Sequence, residues 1–334
     1  MAASVTYLET GSLNPYYNLA FEEWVLTHCL EGDYLMLWQN DNTIVIGQNQ
    51  NAEAEINRAF VDENNIHVVR RGTGGGAVYH DLGNLNYSFI SDSDGIDSAA
   101  LERFSKPIIR ALAKLGISAE TSGRNDIQID GRKVSGTAQR KYKHRILHHG
   151  TLLFDANPGM IAGALNVDSE KIKAKGTQSV RSRVGNIRDF LQNDMNLQEF
   201  WQFLKAELLE EGTVESQLSA QALLEIEDLR RNKYETWEWV FGRSPQYNLR
   251  NKRRFPAGGV EVLLTTKNAV LEEIAFFGDY LSMCPMAELQ DALKGCPFRK
   301  EDVAAVLSRF QLSDYFGAIS QEEILDVIFH ATKA

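Results

Sequence analysis

A run of glycines, Gly72-Thr73-Gly74-Gly75-Gly76, closes the apolar stretch Ile66–Arg70, which reads as a buried strand. What comes after the run constrains the fold. Ala77, Val78 and Tyr79, and then Asn84–Ser91, continue as strand-forming sequence, so no helix opens at the glycines. The spacing Gly72-x-Gly74-x-x-Ala77 superficially fits a dinucleotide fingerprint, but that fingerprint needs a helix at its end, and no P-loop segment occurs anywhere in the chain. Two uses remain for the loop. Glycine lets backbone approach a ligand and present N–H groups to an anion, and it serves equally well in a bulged or tight strand connection.

Positive charge sits close to this loop. Arg70 and Arg71 precede the glycines, either as fixed charge beside a cradle or as ordinary surface arginines. Between Gly123 and Arg188 there are thirteen Lys/Arg against five Asp/Glu, in a chain whose net charge is −10. That segregation suits a solvated basic face or a cationic pocket for an anionic substrate. Within it, Asp130-Gly131 is a two-residue hairpin signal between Asp126–Ile129 and Lys133–Ala138. The turn places Lys133 at the start of a rigid strand, where an ammonium suits phosphate and carboxylate oxygens; a plain surface lysine is the alternative.

Elsewhere the pattern alternates helix and strand. Asn14–Cys29 predicts an amphipathic helix capped by Asn14 and Pro15, with Leu19, Ala20, Trp24, Val25 and Leu26 at helical spacing. Tyr34–Trp38 and Thr43–Gly47 read as strands around the turn-forming Asn40-Asp41-Asn42, followed by a polar helix over Ala52–Asn64. Glu102–Leu115 reads as a helix stopped by Gly116, and Gly150–Phe154 as a strand. Helices are expected from Leu197 to about Trp239. The pattern breaks at Arg243-Ser244-Pro245, and the basic Arg250–Arg254 leads into a hairpin, Gly259–Thr265 with Val270–Phe277. Helices over Met286–Leu293, Lys300–Phe310 and Gln321–Ala331 complete the chain. A length of 334 residues exceeds one typical domain of ~100–200 residues, so two are expected, residues 1–245 and 246–334.

Several classes are set aside. The N-terminus lacks the pattern of a secretory signal, and no apolar run approaches the ~18 residues of a membrane span. Three scattered cysteines, Cys29, Cys284 and Cys296, suit a reducing cytoplasm rather than a disulfide framework or zinc site. The acidic net charge argues against a surface made for nucleic acid.

In order along the chain, Arg70-Arg71-Gly72-Thr73-Gly74-Gly75-Gly76-Ala77-Val78-Tyr79-His80-Asp81-Leu82-Gly83-Asn84, Gly123-Arg124-Asn125-Asp126, Arg132-Lys133-Val134-Ser135-Gly136-Thr137-Ala138 and His148-His149-Gly150-Thr151-Leu152-Leu153 together resemble the lipoate–protein ligase A family. Lys175-Gly176, Ser179-Val180-Arg181-Ser182-Arg183-Val184 and Gly258-Gly259-Val260-Glu261 extend the resemblance over essentially the whole chain.

The resemblance implies an α/β (α+β) fold: a biotin/lipoate ligase-like catalytic domain with mixed β-sheets and flanking helices, plus a small C-terminal α+β accessory domain. It also implies an ATP-dependent enzyme that makes lipoyl-AMP and passes the lipoyl group to a lysine of apo lipoyl domains of 2-oxoacid dehydrogenase complexes or of the glycine-cleavage H protein. ATP is then a substrate and Mg²⁺ the expected ion, with unidentified ligands; the enzyme would be a cytoplasmic monomer. By similarity Lys133 is catalytic and touches both substrates, while Arg71, Gly76, Ala77, Val78 and Tyr79 contact ATP. Trp38, Val45, Arg71, Arg140 and His149 join Lys133 around lipoate, and Asn125 and Asp126 are candidates for polar or metal contacts. The rival in the same superfamily is an acyltransferase with a cysteine nucleophile, against which stands the lack of any cysteine between Cys29 and Cys284.

Overall fold

Caps and turn residues set where most elements begin and end. The computed structural model describes residues 5–93, 101–123, 125–165, 184–209, 214–241, 249–267 and 269–329. Strand β1 (Val5–Leu8) leads to helix α1 (Pro15–His28), which begins where the Asn14 side chain accepts from the Tyr16 and Tyr17 amides. Strands β2 (Asp33–Trp38) and β3 (Thr43–Ile46) follow. The single helix expected over Ala52–Asn64 is two, α2 (Ala52–Glu55) and α3 (Arg58–Glu63). Ile56 leaves the first to bridge Leu165, and Asn57 caps the second at the Phe60 amide.

Strands β4 (His67–Arg70), β5 (Val78–His80) and β6 (Asn84–Asp92) flank the glycine run, and α4 (Leu101–Lys114) stops before Gly116, whose φ is +77°. Then come β7 (Ala119–Ser122), β8 (Asp126–Ile129), β9 (Arg132–Tyr142) and β10 (Arg145–Leu153). Asp130 (φ +49°) and Gly131 (φ +73°) supply the two left-handed residues of the expected hairpin turn. Strand β10 starts at Arg145 rather than Gly150, because a second tight turn with Lys143 at φ +52° feeds β9 into it.

Helices α5 (Pro158–Ala164) and α6 (Leu197–Leu208), the short β11 (Val214–Glu215) and α7 (Ala220–Leu229) follow, and a π-helical turn over Arg230–Tyr234 joins α7 to α8 (Trp237–Val240). The expected boundary at 245/246 lies outside the described residues, as do Arg124, residues 175–183 of the family motifs and the end of the last expected helix. The C-terminal part holds β12 (Leu249–Phe255), β13 (Gly258–Lys267), β14 (Val270–Gly278) and helices α9 (Ala287–Leu293), α10 (Lys300–Leu307), α11 (Leu312–Phe316) and α12 (Gln321–Phe329).

Eight strands form a mixed sheet in the order β11-β1-β2-β6-β10-β9-β8-β7, and β4-β3-β5 form a smaller mixed sheet. Strands β2 and β3 therefore enter different sheets instead of pairing across Asn40-Asp41-Asn42. Alternation along β2 explains its unbroken apolar sequence. Leu35 and Leu37 pack with α4 and α6, while Met36 and Trp38 pack with α1 on the other face. Along β6, Leu85 and Tyr87 join the first core, which turns Asn84, Asn86 and Ser88 to the α1 face. The strands β12-β13-β14 and the C-terminal helices enclose a separate core around Val262, Phe276 and Phe316. The mixed α/β architecture with flanking helices, and the C-terminal antiparallel sheet with helices, agree with the expected fold class.

Candidate active site

A cleft opens on the α1 face of the large sheet, where the small sheet meets it. Its cavity volume is about 130 Å³, and it is open to solvent. One wall is apolar, formed by Leu19 of α1, Trp38 of β2, Val45 of β3 and Ala138 of β9. Arg71, Gly75, Gly76, Ala77 and Val78 come from the glycine loop and the strand after it, and Lys133, Gly136 and Thr137 from β9. Eight of the ten expected site residues line this cleft together: Trp38, Val45, Arg71, Gly76, Ala77, Val78, Lys133 and His149.

The remaining two are placed elsewhere. Tyr79 alternates away from Val78 into the core of the small sheet, where its hydroxyl donates to Asn42 at 2.8 Å. Arg140 lies behind the loop, with Nη1 2.5 Å from where a Cβ on Gly72 would stand, so a side chain there would have to displace the guanidinium. Its Nη2 donates to Glu23 at 3.2 Å.

Lys133 owes its position to two backbone features. The β8–β9 register shifts between Ile127 and Gln128, and such a bulge re-aims the side chains beside it. Gly136 leaves room for the ammonium, since a Cβ there would lie 2.8 Å from Nζ. Nζ is 2.8 Å from Asp126 Oδ1, and both side chains are partly exposed at the mouth of the cleft. Asn125 lines the same mouth.

Arg71 is buried and belongs to the loop itself. Burial brings its pKa down to about 10, with Glu22 opposing the shift, so it stays a cation at neutral pH. The guanidinium donates to the carbonyls of Val45, Gly74 and Gly76 and, from Nε, to Thr73 Oγ1 at 2.9 Å. From Thr73 a buried chain continues inward. Thr73 Oγ1 and His149 Nε2 are 2.9 Å apart, and His149 Nδ1 is 2.9 Å from Glu22. A carboxylate only accepts, so His149 carries its proton on Nδ1, and the Thr73 hydroxyl, already accepting from Arg71, donates to Nε2. Glu22 also accepts from Ser88, whose oxygen accepts from Trp38 Nε1. Glu22 is thus the common anchor of the apolar wall and the glycine loop. Sequence reading missed it, although Leu19, Glu22 and Leu26 share the buried stripe of α1.

Two of the loop amides are already taken in this arrangement. Gly75 N donates to Tyr280 O at 2.9 Å and Gly74 N to Ser282 O at 3.3 Å, which docks the C-terminal part on the loop. A Cβ on Gly74 would come within 2.3 Å of Ser282 N, so the close approach requires glycine. Asn49 Nδ2 to Ser282 Oγ (2.8 Å) and Lys141 to Asp314 (3.2 Å) reinforce the contact.

The family described as the lipoyl protein ligase A/B catalytic domain matches residues 14–209, and the bacterial lipoate protein ligase C-terminus matches residues 244–328. The chain belongs to the lipoate–protein ligase family. It is 41% identical to lipoate-protein ligase LplJ of Bacillus subtilis over 329 residues, covering 97% of this chain and 99% of that one. The Plasmodium falciparum LipL1 structure in complex with lipoate has a TM-score of 0.76 at 25% identity, covering 97% of both chains. A lipoate-protein ligase A structure bound with ATP has a TM-score of 0.62 at 29% identity, covering 72% of this chain and 99% of that one. ATP-dependent ligation of lipoate to protein is the reaction of this lipoate–protein ligase.

A thiol relay finds no support in the ligase. None of Cys29, Cys284 and Cys296 lines the cleft, and burial pushes all three thiols up, Cys284 to about 11, so each is protonated at neutral pH. Replacing all three by Ser is expected to leave ligation intact apart from packing losses of ~1 kcal/mol. Intact-mass analysis of wild-type protein incubated with substrates should show no thioester adduct; finding one would restore the relay.

Proposed function

We propose that lipoate lies along Leu19, Trp38, Val45 and Ala138 with its carboxylate toward Lys133, and that Lys133 is the catalytic cation of lipoyl-AMP formation. One observation carries this reading. Of the two Lys/Arg side chains that line the cleft among the described residues, Arg71 spends its donors on the loop, leaving Lys133 beside the glycine-made gap at the mouth. A carboxylate cannot acylate an amine directly, because an oxide would have to leave; joined to AMP it has a competent leaving group. Attack on the α-phosphorus gathers negative charge, and a pre-placed ammonium offsets it without reorganisation.

No cluster of three or more potential metal-ligating side chains occurs among the described residues. Mg²⁺ does not need one, since one or two carboxylates and the phosphates of ATP complete its shell. Asp126, with Asn125 beside it, fits that demand, and the ion would supply further neutralisation of the phosphates. The acceptor is a lysine of an apo lipoyl domain or of glycine-cleavage H protein, the enzyme acts as a cytoplasmic monomer, and residues 1–245 form the catalytic domain with 246–334 as accessory domain.

The test is exchange of labelled pyrophosphate into ATP by purified protein and Mg²⁺. Exchange is expected with lipoate and not with biotin, and transfer is read as the intact-mass gain of an apo lipoyl domain. Exchange that ignores lipoate would sink the reading.

A further inference from the structure

Two buried nitrogens on cleft-lining side chains find no partner among the described residues: Nε2 of His80 and Nδ2 of Asn86. Both residues sit on the cleft side of strands whose opposite faces are packed. Tyr79 belongs to the core of the small sheet and Leu85 and Tyr87 to that of the large one, so alternation turns His80 with Val78, and Asn86 with Ser88, toward the cleft.

Their neighbours decide what each nitrogen carries. Three acceptors surround Asn18 Nδ2 and share its two hydrogens: the carbonyls of Ser12 (3.0 Å) and Gln39 (2.8 Å) and Oδ1 of Asn40 (2.9 Å). With its oxygen turned to Asn18, Asn40 presents its NH₂ to Nδ1 of His80 at 3.1 Å. An amide NH₂ only donates, so Nδ1 is the acceptor and the ring proton sits on Nε2. Burial, with repulsion from Arg71, brings the imidazole pKa down to about 3, so the ring is neutral. At Asn86 the side-chain amide meets that of Asn84 at 3.0 Å; in the assigned orientation Oδ1 accepts and the NH₂ is the unspent group.

We propose that His80 Nε2–H and Asn86 Nδ2–H form an uncharged two-donor site for the acyl oxygen of the substrate acid, the oxygen that stays on the acyl carbon through both half-reactions. The inference rests on the lipoate-ligase reading above. Position favours the acyl oxygen over the nucleotide. In the sheet, Asn86 stands in register between Trp38 of the apolar wall and Thr151, whose hydroxyl oxygen accepts from the Gly136 amide beside Lys133. The junction of apolar chain and reacting ammonium is where the carboxyl carbon belongs.

Neutral donors also suit the charge history of that oxygen. During activation the other carboxylate oxygen bonds to the α-phosphorus, the bond to pyrophosphate breaks, and pyrophosphate leaves with the electron pair. The held oxygen becomes the carbonyl of the mixed anhydride. When the acceptor amine adds to the carbonyl carbon, the π pair moves onto the held oxygen. It returns as the bond to AMP breaks; AMP departs with that bonding pair, and the amine proton passes to its phosphate. With Lys133 facing the oxygen that attacks phosphorus, two uncharged N–H donors on the other oxygen add no second ion pair to the starting carboxylate and strengthen as charge builds on the oxyanion.

The proposal is tested on wild-type protein labelled with ¹⁵N at its seven histidines, His80 being assigned with His80→Phe. Free protein should show His80 as the neutral Nε2–H tautomer. Lipoate or octanoate, added without nucleotide, should move Nε2 and its proton, while a non-hydrolysable ATP analogue alone should not. A Nδ1–H tautomer, or a signal that responds to nucleotide but not to acid, overturns the proposal. His80→Phe and Asn86→Leu, checked for folding by the same spectra, should each transfer preformed lipoyl-AMP at least tenfold more slowly, with KM for ATP unchanged; wild-type rates in both overturn it. Wild-type exchange is the control. If lipoate fails to support it, the functional reading falls as well; if exchange is normal and His80 ignores the acid, only the present inference falls.

Discussion

Lys133→Ala is expected to lower lipoate-dependent ATP–pyrophosphate exchange by a factor on the order of 10²–10³, the usual cost of removing one pre-placed electrostatic group. Stability should hardly change. The ammonium pairs with Asp126 across a partly exposed mouth, and such pairs contribute only ~0–1 kcal/mol. A large kinetic loss with an unshifted thermal midpoint separates catalysis from folding. Lys133→Arg should not rescue, because Gly136 makes room for a compact ammonium rather than a planar fork. Near-normal exchange by either variant would remove Lys133 from the reaction.

Why Lys133 was legible and Glu22 was not is a matter of range. The Asp130-Gly131 turn is a local signal that fixes the start of β9, and Gly136, six residues after the turn's Asp130, marks the close approach of the Lys133 ammonium. Glu22 acts through His149, 127 residues away, and through Ser88, 66 residues away, so its role exists only once α1 lies on the sheet. A carboxylate on the buried stripe of a helix was the available hint. His80 and Asn86 left a similar trace, as polar residues alternating with apolar ones along strands. Tyr79 shows the converse: it sits inside a family motif, yet strand alternation turns its ring to the core.

The same division holds for the fold. Turns and caps predicted most elements, but the pairing of strands did not follow from them, as β2 and β3 show by joining different sheets. The basic Arg250–Arg254 carries no strand signal of its own, yet it lies in strand β12 because β13 pairs with it along its length. Its charges are met there: Arg250 by Glu261, Arg253 by Asp326 and Arg254 by Asp279, while Asn251 turns inward to the Ile328 carbonyl. None of these partners is near in sequence. A run of like charge says that a face is polar, and tertiary pairing decides whether it is a strand.

The largest stability effect is expected at Glu23, which ties α1 to β9 and to the π-helical turn. Its carboxylate meets Arg140 at 3.2 Å and Lys233 at 2.6 Å and accepts from the Tyr234 hydroxyl. Burial alone would raise its pKa, but Arg140, Lys233 and the hydrogen bonds from Lys233 and Tyr234 more than offset this and hold it at about 2, against 4.5 when unperturbed. A carboxyl depressed on folding binds its proton more readily in the unfolded chain, so its contribution is complete above about pH 4.5 and is lost as the pH falls toward 2. The shift corresponds to roughly 3 kcal/mol. Glu23→Gln keeps the shape, removes the charge and leaves Arg140 and Lys233 facing each other in a buried site. Breaking such a cluster costs ~3–5 kcal/mol, and a displaced Arg140 would also disturb Gly72, against which it packs. Urea unfolding of both proteins from pH 7 to pH 2.5 checks the assignment: the gap between wild type and variant should be several kcal/mol at neutral pH and narrow steadily below pH 4.5. A gap independent of pH would show that the Glu23 charge does not hold this junction together.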